Sequence, residues 1–411
     1  MNREVFVYVQ LNDKSFFVGT LWSRVRSNRQ SATFEYSPEW LAHPDRFTLE
    51  PALTIGTGPY HTNGETALFG AFSDSAPDRW GRVLMRRAEN RLGKDDNQPS
   101  RTLLEIDYLL RVHDVSRIGA LRFSSEKGGA FLAESSESNI PLFIALPKLL
   151  FASEHIVNNE DNDDDLRLLL APGSSLGGAR PKASILDQKG QLSIAKFPSP
   201  TDEWSSVLWE AVALKLAENA GIQVSEWKLE FITDKPVLLL KRFDRVAGTR
   251  IPFLSAMSML GARDHESGCY LEMVDALRRW GANPIDDIHA LFRRIIFNIL
   301  ISNTDDHLRN HGFLFPATAG WRLSPAYDLN PMPIDIKPRV LSTEIDFGNA
   351  TASVELALNI AGYFELNHDK ALDIVSEVKT AVSQWRKVAA KIGVSMREIT
   401  RMASAFELAE F

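Results

Sequence analysis

The spacing of apolar residues changes along this chain, and that change limits the fold more than any other feature. Over residues 5–21 apolar side chains recur at every second position on both sides of Asn12-Asp13-Lys14-Ser15, the pattern of two strands around a turn. From Phe253 onward the spacing is helical. Leu291, Ile295, Ile296, Ile299 and Leu300 form one apolar face, and residues 351–364, 371–393 and 396–411 carry three further amphipathic patterns. The predicted fold class is α+β, strands early and helices late.

Between these ends lies a mixed region. Residues 184–187 and 191–197 read as strands around Gln188-Lys189-Gly190, residues 205–222 as a helix closing on Asn219 and Gly221, and residues 227–232 and 236–243 as two more strands. Together they make a β-β-α-β-β lobe over residues 170–245. Upstream, residues 72–93 read as a helix opening at Pro77 after Ser75, its arginines 79, 82, 86, 87 and 91 forming a solvated face. Five carboxylates within residues 158–165 read as a solvated loop or the charged first turn of a helix over 166–170. At about 150 residues per domain, the 411 residues divide into a small β-rich N-terminal part over 1–125, a mixed lobe over 126–250 and a helical lobe over 251–411.

A net charge of −7 provides no global positive field for nucleic acid or an anionic membrane, so any DNA role needs a partner or a local patch. The single Cys269 excludes an internal disulfide and a thiol zinc cage, which suits a reducing cytoplasm, and it reads as a packed residue near His265. The N-terminus alternates instead of carrying an unbroken apolar core, and no stretch reaches the roughly 18 apolar residues of a membrane span. Secretion and membrane insertion are not expected.

The most informative polar segment is NTDDHLRN, residues 303–310, at the exit of an apolar helix. Asp305 and Asn310 stand five residues apart, the spacing by which kinase catalytic loops place a base near the hydroxyl nucleophile and an amide oxygen on Mg²⁺. Residues 311–315 and 321–323 then read as a hairpin that returns the chain, so that Asp328 comes near Asn310; one Asp and one Asn suit a hard divalent ion carrying nucleotide phosphates. Capping of helices and turns is the plainer reading of Asp305, Asp306 and Asp328 taken singly. His307 with the aspartates offers a metallohydrolase alternative, but no further His stands at ligand spacing.

Residues 174–182, SSLGGARPK, supply adjacent glycines for close backbone approach and the basic pair Arg180 and Lys182 for phosphate oxygens. Pro181 separates the glycines from Lys182, so this is not a Walker A loop. Lys196 lies on an otherwise apolar strand, where a buried lysine needs an anion, and Glu210 on the following helix can hold it.

The order of these motifs resembles the HipA family, the serine/threonine kinase toxins of bacterial HipA-HipB toxin-antitoxin systems. FEYSPEW and FGAFSDSAPDRWGR are similar to its N-terminal subdomain, SSLGGARPK to its phosphate loop, IAKF and LLLKRFDR to its strand lysine and hinge, and NTDDHLRNHGF with LSPAYDLNP to its catalytic and metal segments. The resemblance implies a two-lobed protein-kinase-like fold of the HipA type using ATP and Mg²⁺. It implies Asp305 as base, Asn310 and Asp328 as metal ligands, and nucleotide contacts from Gly177, Gly178, Ala179, Arg180, Pro181, Lys182 and Lys196. It extends those contacts to the hinge Lys241, Arg242 and Phe243, to His307, Leu308 and Arg309, and to Tyr327 and Asp328, with Glu210 in support.

Ser175 matches the family's autophosphorylated loop serine, with Ser174 as the alternative acceptor. The chain departs from the family pattern at Lys241, where an acidic residue is common, at Arg309 in place of lysine, and in Ala-Arg-Pro-Lys for Ala-Gln-Glu-Lys. The partners implied are a HipB-like helix-turn-helix antitoxin, DNA only through it, and a protein substrate such as an aminoacyl-tRNA synthetase. A small-molecule kinase, or a corepressor module without catalysis, are the competing readings.

Overall fold

A computed structural model describes residues 2–26, 29–95, 101–133, 140–173, 178–264, 266–316 and 320–410. Ser174, Ser175, Gly177 and His265 lie outside these described residues. The chain forms two compact units, one from Met1–Thr201 with Glu230–Leu254, the other from Asp202–Leu229 with Ser255–Phe411.

In the first unit the alternating residues pair as expected. Strands β1 (Asn2–Leu11) and β2 (Lys14–Arg26) form an antiparallel hairpin closing at Leu11 and Lys14. Asn12 turns it at φ +53°, a left-handed conformation that Asn tolerates. Val5, Val7 and Val9 are buried by the period-two rule. Gly19 comes so close to β3 (Arg29–Tyr36) that a Cβ there would sit 2.1 Å from the Glu35 carbonyl oxygen. With β4 (Pro59–His61) and β5 (Leu121–Ser124) the sheet has the order β4-β3-β2-β1-β5.

A second sheet has the order β6-β7-β9-β8, from Lys182–Leu186, Leu192–Lys196, Lys235–Lys241 and Trp227–Ile232 respectively. Asp187 closes the expected β6–β7 hairpin by accepting from the main-chain amides of Lys189 (2.8 Å) and Gln191 (2.8 Å). Trp80 and Leu84 share one core with Leu149, Ile156, Leu169, Ala183, Ile185, Phe197 and Val237. The helix Arg79–Asp95 therefore packs with the second sheet in a common core, across the boundary expected near residue 125.

That helix begins two residues later than expected. Asp78, not Ser75, receives the Gly81 amide at 2.9 Å, because its carboxylate satisfies one of the first-turn donors that no helical carbonyl reaches. Nor are its arginines a purely solvated face. Arg82 makes two hydrogen bonds to Glu105 (2.6 and 2.7 Å), Arg87 pairs with Asp161, and Arg91 reaches Asp161 at 2.6 Å. Asp161 is thereby withdrawn from solvent, while Asp163, Asp164 and Asp165 occupy the first turn of the helix Asp163–Gly173, where its dipole favours them.

The second unit is built around the helix Pro284–Leu300, whose Leu291, Ile295, Ile296, Ile299 and Leu300 are all buried. The helix Ser206–Asn219, expected to complete the mixed lobe, belongs to this unit. The reason is aromatic packing: Trp209 lies 6.2 Å from Trp385, which stacks on Phe406 at 4.4 Å and 8°. Among the described residues no helix is long and apolar enough to cross a membrane.

Candidate functional site

In the second unit, the central helix ends and Ser302 takes φ +50°, turning the chain abruptly into residues 303–310. The two adjacent aspartates then part ways. Asp305 is exposed, whereas Asp306 is fully buried. Tyr270 donates its hydroxyl hydrogen to Asp306 Oδ2, and Ser342 donates its amide to Oδ1 at 2.8 Å. Thr343 Oγ1 donates to the Asp306 carbonyl at 2.6 Å, while Lys337 Nζ (3.1 Å) and Ser342 Oγ (2.8 Å) donate to that of Thr304. Burial raises the Asp306 pKa from 3.8 to about 6, with the Tyr270 hydroxyl and the Ser342 and Thr343 amides on its carboxylate pulling the other way. Asp306 is a scaffold for its neighbour, its carboxylate holding Tyr270 and Ser342 from distant segments instead of capping its own turn.

His311 completes that scaffold. Burial first and the Arg294 charge second push its pKa down to about 3, so the ring is neutral and its Nε2–H donates to the Asp306 carbonyl at 3.1 Å. Asn303 Nδ2 donates to Asn298 Oδ1 at 3.0 Å, and Asn298 Nδ2 in turn donates to the Tyr270 hydroxyl at 3.2 Å. Behind the loop, Arg294, Asn298, Asn303, Asp306, Asn310 and Tyr327 border a cavity of about 10 Å³, room for about one water.

Asn310 closes the loop, its Nδ2 donating to the Asp305 carbonyl at 2.7 Å. A carbonyl can only receive from the amide nitrogen, so Oδ1 is left as the acceptor end of this side chain. Asp328 holds φ +53°, an uncommon conformation that aspartate tolerates and that clusters at functional positions. The two side chains offer an amide and a carboxylate oxygen, the hard donors a Mg²⁺ ion takes alongside water and phosphate. Among the described residues no three His, Cys, Asp or Glu gather into a protein-only cage.

Two other residues of this segment, and Tyr327 beside Asp328, have firm roles in the fold. Leu308 is buried against Gly268, where a Cβ would sit 2.6 Å from Leu308 Cδ1, so its side chain is unavailable to a ligand. Arg309 is exposed and pairs with Asp264 at 2.8 Å. Tyr327 donates its hydroxyl to the Arg309 carbonyl at 2.8 Å, tying the segment around Asp328 back to the loop. His307 is half-buried.

The first unit holds the second cluster. Gly178, at φ +91°, leaves room for the Lys182 ammonium, which a Cβ at 178 would meet at 2.8 Å. Lys182 is 3% exposed and stands directly opposite the half-buried Lys196 across β6 and β7. The expectation of one buried strand lysine is thus corrected: Lys182 is the buried one. Two lysines facing each other on neighbouring strands repel, and an anion between them relieves that cost. Ala179 and Arg180 are exposed, whereas Pro181 is buried, its carbonyl accepting from Phe197 at 3.0 Å.

The expected hinge is largely structural. Arg242 is buried, donating to Asp244 at 2.6 Å and to the Ser116 carbonyl at 2.9 Å, so any ligand contact there falls to its main chain. Arg245 also reaches Asp244 at 2.7 Å, and Gly119 donates its amide to it at 2.7 Å. Burial would raise the Asp244 pKa, but the two arginines outweigh it and hold the carboxyl well below its usual range. Phe243 packs on Phe253 at 6.1 Å, and Lys241 is half-buried at the end of β9. Glu210 is buried on the helix Ser206–Asn219 of the second unit.

Comparison with known proteins bears on the whole chain. A family model for the HipA-like C-terminal domain matches residues 174–385, more than half of the chain, and one for the HipA N-terminal domain matches residues 8–107. The chain belongs to the HipA family. Its fold is similar to that of HipA from Shewanella oneidensis MR-1, solved in a toxin-antitoxin complex with HipB and operator DNA. The TM-score is 0.64 at 16% identity, over 98% of this chain and 95% of that one. A protein of Sinorhizobium fredii provisionally named a kinase, Y4mE, is 27% identical over 38% of this chain and 41% of its own length. A Haemophilus influenzae protein, also provisionally named a kinase, is 23% identical over 44% and 60%. The matched stretch is therefore less than two thirds of either relative.

Spacing singled out Asp305, Asn310 and Asp328 and the HipA resemblance added Tyr327; three of these four, Asp305, Asn310 and Tyr327, join one hydrogen-bonded loop. The supports Tyr270, Asn298, Lys337, Ser342 and Thr343 went unremarked. Nothing in their local sequence sets them apart, since Tyr270 and Ser342 stand 36 residues on either side of the aspartate they serve.

Proposed function

We propose that this chain is an ATP- and Mg²⁺-dependent serine/threonine protein kinase acting as the toxin of a toxin-antitoxin pair. The observation that carries the reading is the loop in which an exposed Asp305 is held by Asn310 through its own carbonyl and by the buried Asp306 behind it. Asp305 accepts the proton of the attacking hydroxyl as that oxygen bonds to the γ-phosphorus of ATP and the γ-phosphorus bond to the bridging oxygen breaks, ADP leaving with the electron pair. Asn310 and Asp328 hold a divalent ion that, when bound, neutralises charge on the transferring phosphoryl group. Lys182 and Lys196 bind phosphate oxygens, and Ser175, or Ser174 in its place, is the autophosphorylated residue that switches the enzyme off.

The antitoxin is a HipB-like DNA-binding protein, by analogy with the Shewanella oneidensis complex, and any operator contact runs mainly through it. This accords with a chain of net charge −7. The substrate class is a protein hydroxyl, with an aminoacyl-tRNA synthetase as the leading candidate. Incubating purified protein with Mg²⁺ and labelled ATP, then mapping phosphosites beside Asp305→Ala, Ser175→Ala and Ser174→Ala, tests the reading. No ATP binding and no label in the wild type would refute it; full labelling of Asp305→Ala would remove Asp305 from the role of base.

A further inference from the structure

Asp78 does two things at once. Its Oδ1 caps the helix Arg79–Asp95 by accepting from Gly81 at 2.9 Å, and its Oδ2 lies 3.7 Å from Lys182 Nζ. The pair is nearly out of solvent, the two side chains being 12% and 4% exposed. At 3.7 Å it is an ion pair too long for a hydrogen bond, so Lys182 is neutralised without being tightly held. The same helix start grips the strand backbone. Trp80 donates its amide to the Gly178 carbonyl at 3.4 Å and its indole Nε1–H to the Lys182 carbonyl at 3.0 Å.

A buried lysine with a second lysine directly opposite is costly unless a negative charge is near. We propose that Asp78 is the resident counter-ion of the phosphate site, a carboxylate that neutralises Lys182 until a nucleotide's phosphate takes its place. The inference rests on the reading of Lys182 and Lys196 as phosphate ligands and extends it to regulation. Asp78 is a positioning residue. Because it also caps the helix of the N-terminal domain, nucleotide binding and that helix start are coupled, and by linkage whatever draws Asp78 off Lys182 favours nucleotide.

Asp78→Asn separates the two roles, since Asn caps a helix as well as Asp but carries no charge. Binding of ATP and of adenosine is measured by titration calorimetry at low and high salt, with wild type and Asp78→Asn. The expected result is ATP affinity increased on the order of tenfold at low salt, a smaller gain at high salt, and unchanged adenosine affinity. A merely structural role would shift both ligands alike. Asp78→Ser, which also caps, replaces Asp78→Asn if the latter does not fold. ATP affinity that is unchanged or weakened while wild type binds ATP overturns the counter-ion and leaves the kinase reading standing. Absence of ATP binding in both proteins overturns the nucleotide site and this inference with it.

Discussion

The Asn310 amide nitrogen donates to the Asp305 main-chain carbonyl at 2.7 Å, so the two residues that the proposed chemistry needs are fixed to one another before any ligand arrives. Asp305→Ala removes only the exposed carboxylate and is expected to lower phosphoryl transfer by about 10²–10⁴-fold while ATP binding persists. Asn310→Asp cannot donate to the carbonyl and sets a second carboxylate beside it. It should lose turnover as well, and with it the Mg²⁺ dependence that the proposed chemistry requires of wild type. Initial rates against Mg²⁺ concentration check both.

Tyr270→Phe takes the hydroxyl donor away from buried Asp306. A destabilisation of about 1–3 kcal/mol is expected. Its size depends on pH in a definite direction. The folded Asp306 pKa of about 6 lies above its usual 3.8, so the native state binds this proton more tightly than the unfolded chain does. Asp306 therefore adds most stability below about pH 4, and the contribution fades as pH rises through 6. The ionised carboxylate needs the tyrosine donor more than the acid form, so the loss in Tyr270→Phe should be larger at pH 7.5 than at pH 5. Urea unfolding at the two values, compared with wild type so that His311 cancels, measures it.

Glu50 gives a second pH signature, in the first unit. Burial, with Asp74 adding to it, raises its pKa to about 8 against the pull of the Ala71 amide, which donates at 2.5 Å. Wild-type stability should fall as pH rises from about 4.5 to about 8, the range over which the unfolded chain has released this proton and the folded one has not. Glu50→Gln keeps an acceptor for Ala71 and should remove that part of the slope. Melting temperatures at pH 5.5 and 8.5 would show it as a smaller difference than in wild type.

Asp244→Ala is expected to cost about 3–5 kcal/mol, since it leaves the buried Arg242 and Arg245 guanidinium groups without their counter-ion. Chemical denaturation measures the loss. If the variant is within about 0.5 kcal/mol of wild type, the segment after β9 is not the structural clasp described above.

Gly178→Ala places a methyl group 2.8 Å from Lys182 Nζ and puts an L side chain at φ +91°. The backbone strain should lower the melting temperature modestly, and nucleotide affinity should drop at temperatures where both proteins remain folded. Calorimetry checks the first, and fluorescence titration with an ATP analogue the second.

Much was legible before the fold was known, and for local reasons. Period-two alternation placed the opening hairpin, helical spacing placed Pro284–Leu300, and the change of character at its exit marked the loop of Asp305 and Asn310. What the local pattern could not carry is pairing between distant segments. It left Arg82, Arg87 and Arg91 on a solvated face because Glu105 and Asp161 are remote in sequence. It kept Ser206–Asn219 with the neighbouring strands because Trp385 lies some 170 positions downstream.

The sequence by itself determined which segments are strands and helices and which polar residues cluster, since both follow from side-chain periodicity and from the chemistry of a few adjacent residues. Only the tertiary structure decided which of two neighbouring aspartates is exposed. Asp306 is claimed by Tyr270, Ser342 and Thr343, three donors that folding brings from both sides of the loop, and a buried carboxylate must take whatever partners it can reach. Asp305, without that claim, is the one facing solvent. Likewise the identity of the buried lysine, Lys182, was settled by its position opposite Lys196 and beside Asp78, a contact across about a hundred residues that no spacing rule encodes.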